Sequence, residues 1–342
     1  MTQSALEIDD RSALVSLLDK EASDSALALP DDIHVAPRFW NKALFGPLAE
    51  ASRRPGKEFR GRLAQLAWAL AGGRGHCPLE LSAAVEALHL GSLIVDDIED
   101  GSLTRRGRQA LHVRVGLPLA LNAGNWLYFW PSVLLERAGF EPVRLQALKA
   151  AVDRSVLRCH YGQALDLSLS VVELRQSEVR ELVYATTRLK TGSLFELAAE
   201  LGAIAAGAPA EVVRVLAELG RDLGVALQML DDWTGVACER RRHKGHEDLR
   251  AARPSWPWAW LSEQLDDVSY VRLRVLSEAV MRSELDPEVL AEQFRTLLAE
   301  APRLVIRAHV ERSRAACHAR FAGSPSLAEL DAELTRLERF DG

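Results

Sequence analysis

The feature that most constrains the fold of this chain is the spacing of its apolar residues. From Phe39 onward they recur every three or four residues, which is the period of a helix with one buried face. The alternation typical of a half-buried strand is essentially absent. The sequence therefore predicts an all-α protein, with helices over roughly 58–71, 79–98, 119–136, 142–168, 177–204, 210–230, 255–264, 269–282, 287–318 and 326–339.

The domain organisation is predicted from composition. A chain of 342 residues fits one large domain or two smaller ones, and no internal stretch has the composition of a linker. Residues 1–35 are polar, so we expect a loosely attached lead segment there and a single domain over 36–342. Pro131 predicts a kink in the third helix.

Charge and cysteine usage restrict the classes of partner and compartment. The net charge of −6 argues against a nucleic-acid binder, which needs a basic face. The 4 cysteines form no CxxC pair and predict reduced thiols in a cytoplasmic protein. The uncharged stretch 115–135 is interrupted by Pro118 and Pro131, so we predict a buried helix there and no membrane span.

Two apolar helical runs lead into aspartate pairs, Asp96-Asp97 and Asp231-Asp232. A carboxylate beside apolar surface is costly unless a cation or a hydrogen-bond donor meets it. Asp96 and Asp100 lie one helical turn apart, with His89 two turns earlier on the same stripe. Oxygen ligands alone suit Mg²⁺, which typically bridges carboxylates to substrate phosphates. One such pair by itself is equally typical of a solvated helix end, so a diphosphate site requires basic partners as well.

Those basic partners flank the first pair. Arg105 and Arg106 follow Asp100 by five and six residues, and arginine binds phosphate oxygens through two parallel hydrogen bonds. Upstream, Lys57 and Arg60 stand three residues apart at a helix start, which also favours anions. Each run alone is more typical of a solvated surface. Together with the carboxylates they predict a site that holds a diphosphate through magnesium.

Polar residues also interrupt later helices, at Gln163, Asp166 and the triplet Lys190-Thr191-Gly192. Taken singly, each is more often a core residue with internal hydrogen bonds. The segment from Arg240 to His246 is predicted to be a mobile basic loop, and Trp256, Trp258 and Trp260 to be packing residues.

In their order along the chain, these motifs resemble those of the trans-isoprenyl diphosphate synthases, most closely the geranylgeranyl diphosphate synthases. The resemblance runs from about Pro55 to Phe340. It implies a single helical bundle around a deep central cavity, assembled as a homodimer. It also implies a prenyltransferase that joins isopentenyl diphosphate to an allylic prenyl diphosphate by ionisation, condensation and elimination, with Mg²⁺ as cofactor.

The resemblance further implies roles for individual residues. Asp96, Asp100 and Asp231 would hold about three Mg²⁺ ions, supported by Asp97, Asp166 and Asp232. The allylic diphosphate would be held by Arg105, Lys190, Lys244 and Arg253, the last standing where the family generally has lysine. Isopentenyl diphosphate would be held by Lys57, Arg60, His89 and Arg106. Gln163, Thr191 and Gln228 would lie near the reacting carbons.

Product length is predicted from the residues beside the first pair. One turn above Asp96, Gly91 and Ser92 are small, whereas an aromatic side chain there would block growth beyond fifteen carbons. Tyr128 and Phe129, beside Trp130 on the neighbouring apolar helix, are candidates for the floor of the shaft. These residues favour geranylgeranyl diphosphate as the product, with farnesyl or a longer prenyl diphosphate as the alternatives.

The sequence differs from the family motifs at two further places, and two other classes of protein remain as alternatives. The second motif ends in Gly235 where most relatives carry aspartate, as in geranylgeranyl synthases of eukaryotic type, and the segment from Arg240 to Trp260 is unusual. A class I terpene cyclase on the same fold has no need for the isopentenyl diphosphate residues, which are all present here. A non-catalytic subunit of a heteromeric synthase usually loses the first aspartate motif, which is intact.

Overall fold

The computed structural model describes residues 12–24, 32–54 and 58–338, and it confirms the all-α prediction. Within those residues the only strands are a two-stranded hairpin, β1 (Thr104–Arg105) and β2 (Arg108–Gln109). The chain divides into two compact units, each described here by itself. Unit 1 comprises Met1–Asp153 and Leu201–Ala208, and unit 2 comprises Arg154–Glu200 and Pro209–Gly342.

Most helices of unit 1 precede those of unit 2 along the chain. Two helices, α8 (Pro142–Ser168) and α10 (Ser193–Ala205), contribute residues to both units. The first group is α1 (Ala13–Asp24), α2 (Pro37–Trp40), a π-helical turn (Asn41–Phe45), α3 (Gly46–Ser52), α4 (Phe59–Leu70), α5 (Leu79–Glu99), α6 (Leu111–Val115), α7 (Leu117–Arg137) and α8 (Pro142–Ser168). The second is α9 (Gln176–Thr187), a π-helical turn (Arg188–Gly192), α10 (Ser193–Ala205), α11 (Ala210–Ala237), a 3₁₀ turn (Glu239–Arg241), α12 (Arg242–Arg250), α13 (Trp256–Gln264), α14 (Asp267–Met281), α15 (Pro287–Leu298), α16 (Ala301–Arg320) and α17 (Ser326–Glu338).

In unit 1 the helices α5 and α7 lie against each other through small residues. A Cβ atom on Gly91 would stand 2.9 Å from the carbonyl oxygen of Gly124, and one on Gly124 would stand 3.0 Å from Cγ2 of Val95. Such a close backbone approach leaves no room for larger side chains. The helix α7 continues through Pro131 without interruption.

The helix α1 lies in the segment that the sequence predicted to be a loosely attached lead. Leu14 and Leu18 are buried, and so is Glu21, which is only 4% exposed. One carboxylate oxygen of Glu21 accepts hydrogen bonds from Nε1 of Trp130 at 3.2 Å and Nη1 of Arg137 at 2.8 Å. A buried carboxylate needs such partners, so these contacts fix α1 to α7. The predicted helices began at residue 58, and α1 to α3 were missed because their apolar runs are short.

In unit 2 the core forms around α13, and the tryptophans pack there as predicted. Trp256 and Trp258 are fully buried, and Trp260 is nearly so. The Trp258 ring meets Phe294 edge-on, with centroids 5.0 Å apart. Aromatic pairs in this geometry add to the free energy gained from burial alone.

Three predicted elements were wrong in detail. The helix predicted over 287–318 is two helices, because Ala299 adopts a positive φ of 45° that ends α15. The helix predicted over 177–204 contains a π-helical turn. The basic segment after the second aspartate pair is helix α12, not a loop. Across the described ranges, no helix combines the length and apolarity that crossing a membrane requires.

Candidate active site

In unit 1, the last turn of α5 carries the first aspartate motif, and the β1–β2 hairpin returns Arg105 to it. Nε of Arg105 donates to Oδ1 of Asp97 at 2.7 Å, and Nη2 reaches Oδ2 of Asp96 at 3.3 Å. The hairpin turns through Arg106 and Gly107, both with positive φ, which a two-residue turn of this kind requires. The arginine is therefore positioned by local backbone geometry.

The two carboxylates differ in exposure. The Asp97 side chain is 4% exposed and that of Asp96 is 18% exposed. Burial raises the pKa of Asp97, and hydrogen bonding and charge from Arg105 lower it only in part. Asp97 is thus an internal partner for Arg105, and Asp96 is the more accessible of the two. Asp100 caps α5 and is also partly buried.

The residues predicted to hold isopentenyl diphosphate form a basic cluster in unit 1. Burial holds the pKa of His89 well below its usual value, and the charges of Arg60, Arg106 and Arg105 lower it further. His89 is consequently neutral at physiological pH, amid guanidinium groups. Lys57, the fourth predicted member, lies outside the described residues.

A further arginine was missed by the sequence analysis. Arg54 is buried at 6% exposure, its Nη2 donates to Glu50, and its backbone carbonyl accepts a hydrogen bond of 3.3 Å from Nη1 of Arg106. Burial and the charge of Arg108 lower the pKa of Arg54. The available signal was its position directly before the Pro55-Gly56-Lys57 motif.

In unit 2, the predicted polar residues form an ion pair and a separate hydrogen-bonded chain. Nζ of Lys190 donates to Oδ2 of Asp166 at 2.7 Å. Oγ1 of Thr191 donates to Oε1 of Gln228 at 2.7 Å, and Nε2 of Gln228 donates to Oδ1 of Asp232, also at 2.7 Å. Both Lys190 and Thr191 belong to the π-helical turn, a distortion that often occurs at functional sites.

Close packing holds that turn in place. A Cβ atom on Gly162 of α8 would stand 2.6 Å from the backbone nitrogen of Lys190. Only glycine permits this approach. Gln163 follows on α8 and is partly buried, and Arg253 lies 3.8 Å from Oδ2 of Asp166 through Nη1. The structure therefore brings Asp166, Lys190 and Arg253 together.

The second aspartate pair lies within α11, which extends to Ala237 rather than ending near residue 230. Asp232 accepts a hydrogen bond of 3.0 Å from the backbone N–H of Trp256. Burial raises the pKa of Asp232 to about 7, against the effect of this bond and of Gln228. Asp232 is partly buried, whereas Asp97 is buried. Lys244 is exposed on α12, and its charge acts on Asp232.

Asp231 is paired with a residue that the sequence analysis did not select. Nη1 of Arg241 donates to Oδ1 of Asp231 at 2.7 Å and to Oγ1 of Thr234 at 2.8 Å. The run of three arginines was the only signal in the sequence. It could not show which arginine turns toward α11, because that depends on the 3₁₀ turn before α12.

Comparison with known proteins identifies the family. A sequence profile described as polyprenyl synthetase matches residues 41–291, which is most of the chain. The chain belongs to the polyprenyl synthetase family. A geranylgeranyl diphosphate synthase of Sulfolobus acidocaldarius is 32% identical over 190 residues, covering 54% of this chain and 56% of that protein. The aligned region thus spans little more than half of this relative's own length.

Solved structures of polyprenyl synthetases share the fold. A decaprenyl diphosphate synthase from Rhodobacter capsulatus superposes with a TM-score of 0.77 at 22% identity, covering 95% of this chain and 94% of that one. A geranylgeranyl pyrophosphate synthase from Corynebacterium glutamicum, solved with isoprenyl diphosphate and magnesium, gives 0.73 at 22% identity and covers 96% of each chain. At these identities the likeness shows the all-α fold and nothing finer.

The chemistry of the carboxylates fits magnesium in this polyprenyl synthetase. Asp96 and Asp100 offer partly exposed hard oxygens one turn apart. In the described part of the chain no group of three or more His, Cys, Asp or Glu side chains is gathered to hold a metal. The donors therefore suit an ion that takes few protein ligands and completes its shell with water and phosphate oxygens, as Mg²⁺ does. Asp231 has the right oxygens, but Arg241 occupies one of them.

The structure shows the surroundings in unit 1 of the residues predicted to set product length. Gly91 packs against α7, where a side chain would collide with Gly124. Phe129 is 76% exposed and lies on the outer face of α7. Tyr128 is partly buried and lies next to Gly91, and Ser92 donates its hydroxyl to the carbonyl of His89 at 2.8 Å.

Proposed function

We propose that this polyprenyl synthetase condenses isopentenyl diphosphate with an allylic prenyl diphosphate. The observation that carries the proposal is the end of α5 in unit 1. There an intact aspartate motif, the arginine that pairs with it and a neutral histidine amid guanidinium groups occupy about three helical turns and one hairpin. A chain that does not handle two diphosphates has no need for both sets.

The basic cluster supports binding of isopentenyl diphosphate. Arg60 and Arg106 supply guanidinium groups, which bind phosphate oxygens in pairs. His89 stays neutral because burial and these arginines disfavour its charged form, so it offers a neutral N–H donor. The backbone carbonyl of Arg54 orients Arg106. Lys57 joins this set as a proposal from the sequence alone.

The allylic diphosphate is proposed to bind through the acidic motifs and their cations. Asp96, Asp100 and Asp231 would hold Mg²⁺, which when bound neutralises charge developing on a departing diphosphate. Arg105 is already oriented by Asp97, so it donates to phosphate without reorganising its own surroundings. Lys190 is oriented in the same way by Asp166.

The polar chain of unit 2 is proposed to support the cationic stage of the reaction. Thr191 and Gln228 present fixed oxygen dipoles, because each is hydrogen-bonded to the next and finally to Asp232. Preorganised dipoles stabilise developing charge at little reorganisation cost. Gln163, on α8, is placed in the same group by the proposal.

The test is product analysis after incubation with Mg²⁺, isopentenyl diphosphate and each allylic diphosphate in turn. We expect a linear prenyl diphosphate whose formation requires both substrates, with the Asp96→Ala variant inactive. A cyclic hydrocarbon formed without isopentenyl diphosphate would establish a terpene cyclase instead. No product with any substrate pair would support the non-catalytic subunit.

The product is proposed to be geranylgeranyl diphosphate. The support is the small side chain of Ser92 and the partly buried Tyr128, since Gly91 packs against α7 and Phe129 lies on its outer face. Ser92→Phe is expected to shorten the product to fifteen carbons, and Ser92→Ala should leave it unchanged. Chain length is read from the hydrolysed alcohols, and an unchanged product from Ser92→Phe would contradict this assignment.

We also propose a homodimer, supported by the outer face of α7. Leu117 is 52% exposed and Phe129 is 76% exposed, so two large apolar side chains of α7 face solvent in the single chain. Covering them with a second copy would remove apolar area from water. Sedimentation should give a dimer for the native chain and a monomer for Phe129→Asp, and a native monomer would refute the proposal.

A further inference from the structure

We infer that Arg241 is a positioning residue that holds Asp231 in an ion pair and passes to the diphosphate when metal and diphosphate arrive together. This inference deepens the proposed function and rests on it. In unit 2, the predicted metal ligand Asp231 is already paired with Arg241. A divalent cation competes with Arg241 for Asp231, and a diphosphate competes with Asp231 for Arg241.

The contact is specific. Nη1 of Arg241 reaches two acceptors, Oδ1 of Asp231 and the hydroxyl of Thr234. That hydroxyl is itself fixed, because it donates to the backbone carbonyl of Leu230 at 2.8 Å. The guanidinium is therefore directed onto Asp231 by a second, rigid acceptor on the same helix.

The absence of side chains at positions 235 and 245 makes this contact possible. A Cβ atom on Gly245 would stand 2.0 Å from the backbone oxygen of Gly235, and one on Gly235 would stand 3.3 Å from Cα of Gly245. The helix α12 thus lies directly on the backbone of α11. A larger residue at position 245 would push α12 away, and with it the turn that carries Arg241.

The far side of α12 is also held. Glu288 on α15 accepts from His246 at 3.0 Å and lies 3.3 Å from Nε of Arg242. Arg295, which also contacts Glu288, donates through Nη1 to the carbonyl of Val236 at 2.8 Å, near the end of α11. The bonds of His246 and Arg295 fix the segment that carries Arg241 at both ends, and the exposed contact of Arg242 adds little.

The Arg241–Asp231 ion pair is weak enough to be exchanged for other ligands. Both side chains are well exposed, 37% for Arg241 and 40% for Asp231, and ion pairs of this kind are weak. A metal ion that takes Oδ1 of Asp231 displaces the guanidinium from that oxygen, so metal binding there releases Arg241. The freed guanidinium then has a stronger acceptor in a phosphate. Binding of metal and of diphosphate is therefore coupled.

The test measures binding in the full-length chain without turnover. The Asp96→Asn, Asp100→Asn background removes the other predicted ligands, and Mn²⁺ binding is followed by electron paramagnetic resonance. Arg241→Gln should tighten Mn²⁺ binding by about threefold to fivefold, the size expected for loss of an exposed ion pair. The same variant should weaken binding of inorganic pyrophosphate, measured by calorimetry, by at least about threefold.

The matched control is Arg242→Gln, which removes the same charge one residue away from a side chain that pairs with Glu288. It should change both affinities by less than about twofold. Equal effects of the two variants would mean that only net charge matters, and would overturn the inference. So would a gain in Mn²⁺ affinity that survives when Asp231→Asn is added. If Arg241→Gln shifts the two affinities as expected but the native chain shows no condensation activity, the proposed function is overturned and the exchange of Arg241 between Asp231 and the diphosphate still stands.

Discussion

The two aspartate motifs of this polyprenyl synthetase are built alike and partnered differently. In each, burial raises the pKa of the second carboxylate, and the first is the predicted metal ligand. On α5 Asp97 accepts from an arginine, and on α11 Asp232 accepts from neutral donors, Gln228 and the backbone of Trp256. On α11 the arginine instead pairs with the accessible Asp231.

This difference shows that an arginine beside an acidic motif can have opposite effects. Arg105 mainly satisfies the internal charge of Asp97, whereas Arg241 occupies the residue that would bind metal. Arg105 contacts Asp96 at 3.3 Å, whereas Arg241 contacts Asp231 at 2.7 Å, so cation binding has a closer ion pair to exchange at the second motif than at the first. Four sets of variants test this contrast, beginning with the one for which we expect the largest effect.

Asp96→Asn should reduce the condensation rate by about a hundredfold to a thousandfold, because it removes a charged ligand from the first motif. The free energy of unfolding should change little, since Asp96 is the accessible member of its pair. Steady-state kinetics and chemical denaturation measure the two quantities. Glu99→Gln, an exposed acid in the same turn, is the control and should keep nearly full activity. A similar loss of condensation rate in both variants would show that Asp96 is no more important than the other acids of the motif.

Asp97→Ala should lower the free energy of unfolding by about 3 kcal/mol, because it removes the closer of the two carboxylates that Arg105 contacts. Asp232→Ala should lower the free energy of unfolding by less, about 1–2 kcal/mol, since it leaves neutral donors without an acceptor rather than a charge without its closer partner. Urea denaturation of both variants gives the comparison directly. If Asp232→Ala proved the more destabilising, the distinction between a charged and a neutral partner would be wrong.

Gly245→Ala should cost about 2 kcal/mol of stability, because the added methyl group collides with the backbone of Gly235. It should also separate Arg241 from Asp231 and reproduce the tighter Mn²⁺ binding of Arg241→Gln. The control on the same helix is His243→Ala, whose side chain is 83% exposed. A stable Gly245→Ala protein with native metal affinity would refute the close packing of α12 on α11.

His89→Gln should remove a pH dependence of stability. The pKa of His89 is lowered in the folded chain, so the unfolded chain binds the extra proton and stability falls as pH drops below about 6.5. The slope contributed by this group is at most about 1.4 kcal/mol per pH unit. Unfolding measured between pH 5 and pH 7.5, roughly the range in which histidine titrates, should show a shallower slope in the variant. Identical slopes would mean that His89 is not held neutral.

Much of the fold could be predicted because helix period is local information. The helices α5, α7 and α8 were placed within a few residues, since apolar spacing and Gly or Pro breaks mark them. The helix α12 was not, because its residues are almost all polar and it is held by Gly235 and Glu288 on other elements. Tertiary contacts of this kind leave no periodic signal.

The site divides in the same way. Spacing along one helix relates Asp96 to Asp100, and a motif places Arg105 near them. No local pattern indicates that Arg241 turns toward Asp231, or that Gly91 packs closely against Gly124 on α7. Residue type and order predicted the chemistry, while the pairing of each charge depended on the three-dimensional neighbours.

The π-helical turn at Arg188–Gly192 has a consequence for how the gene can change. Such a turn accommodates one residue more than an α-helical turn, so the helix after it keeps the rotational phase of the helix before it. Deleting one residue there would leave an ordinary α-helical turn, so Phe195 and Leu197 should stay in their buried positions. An in-frame loss of one codon should therefore disturb the placement of Lys190 and Thr191 more than the packing of α10.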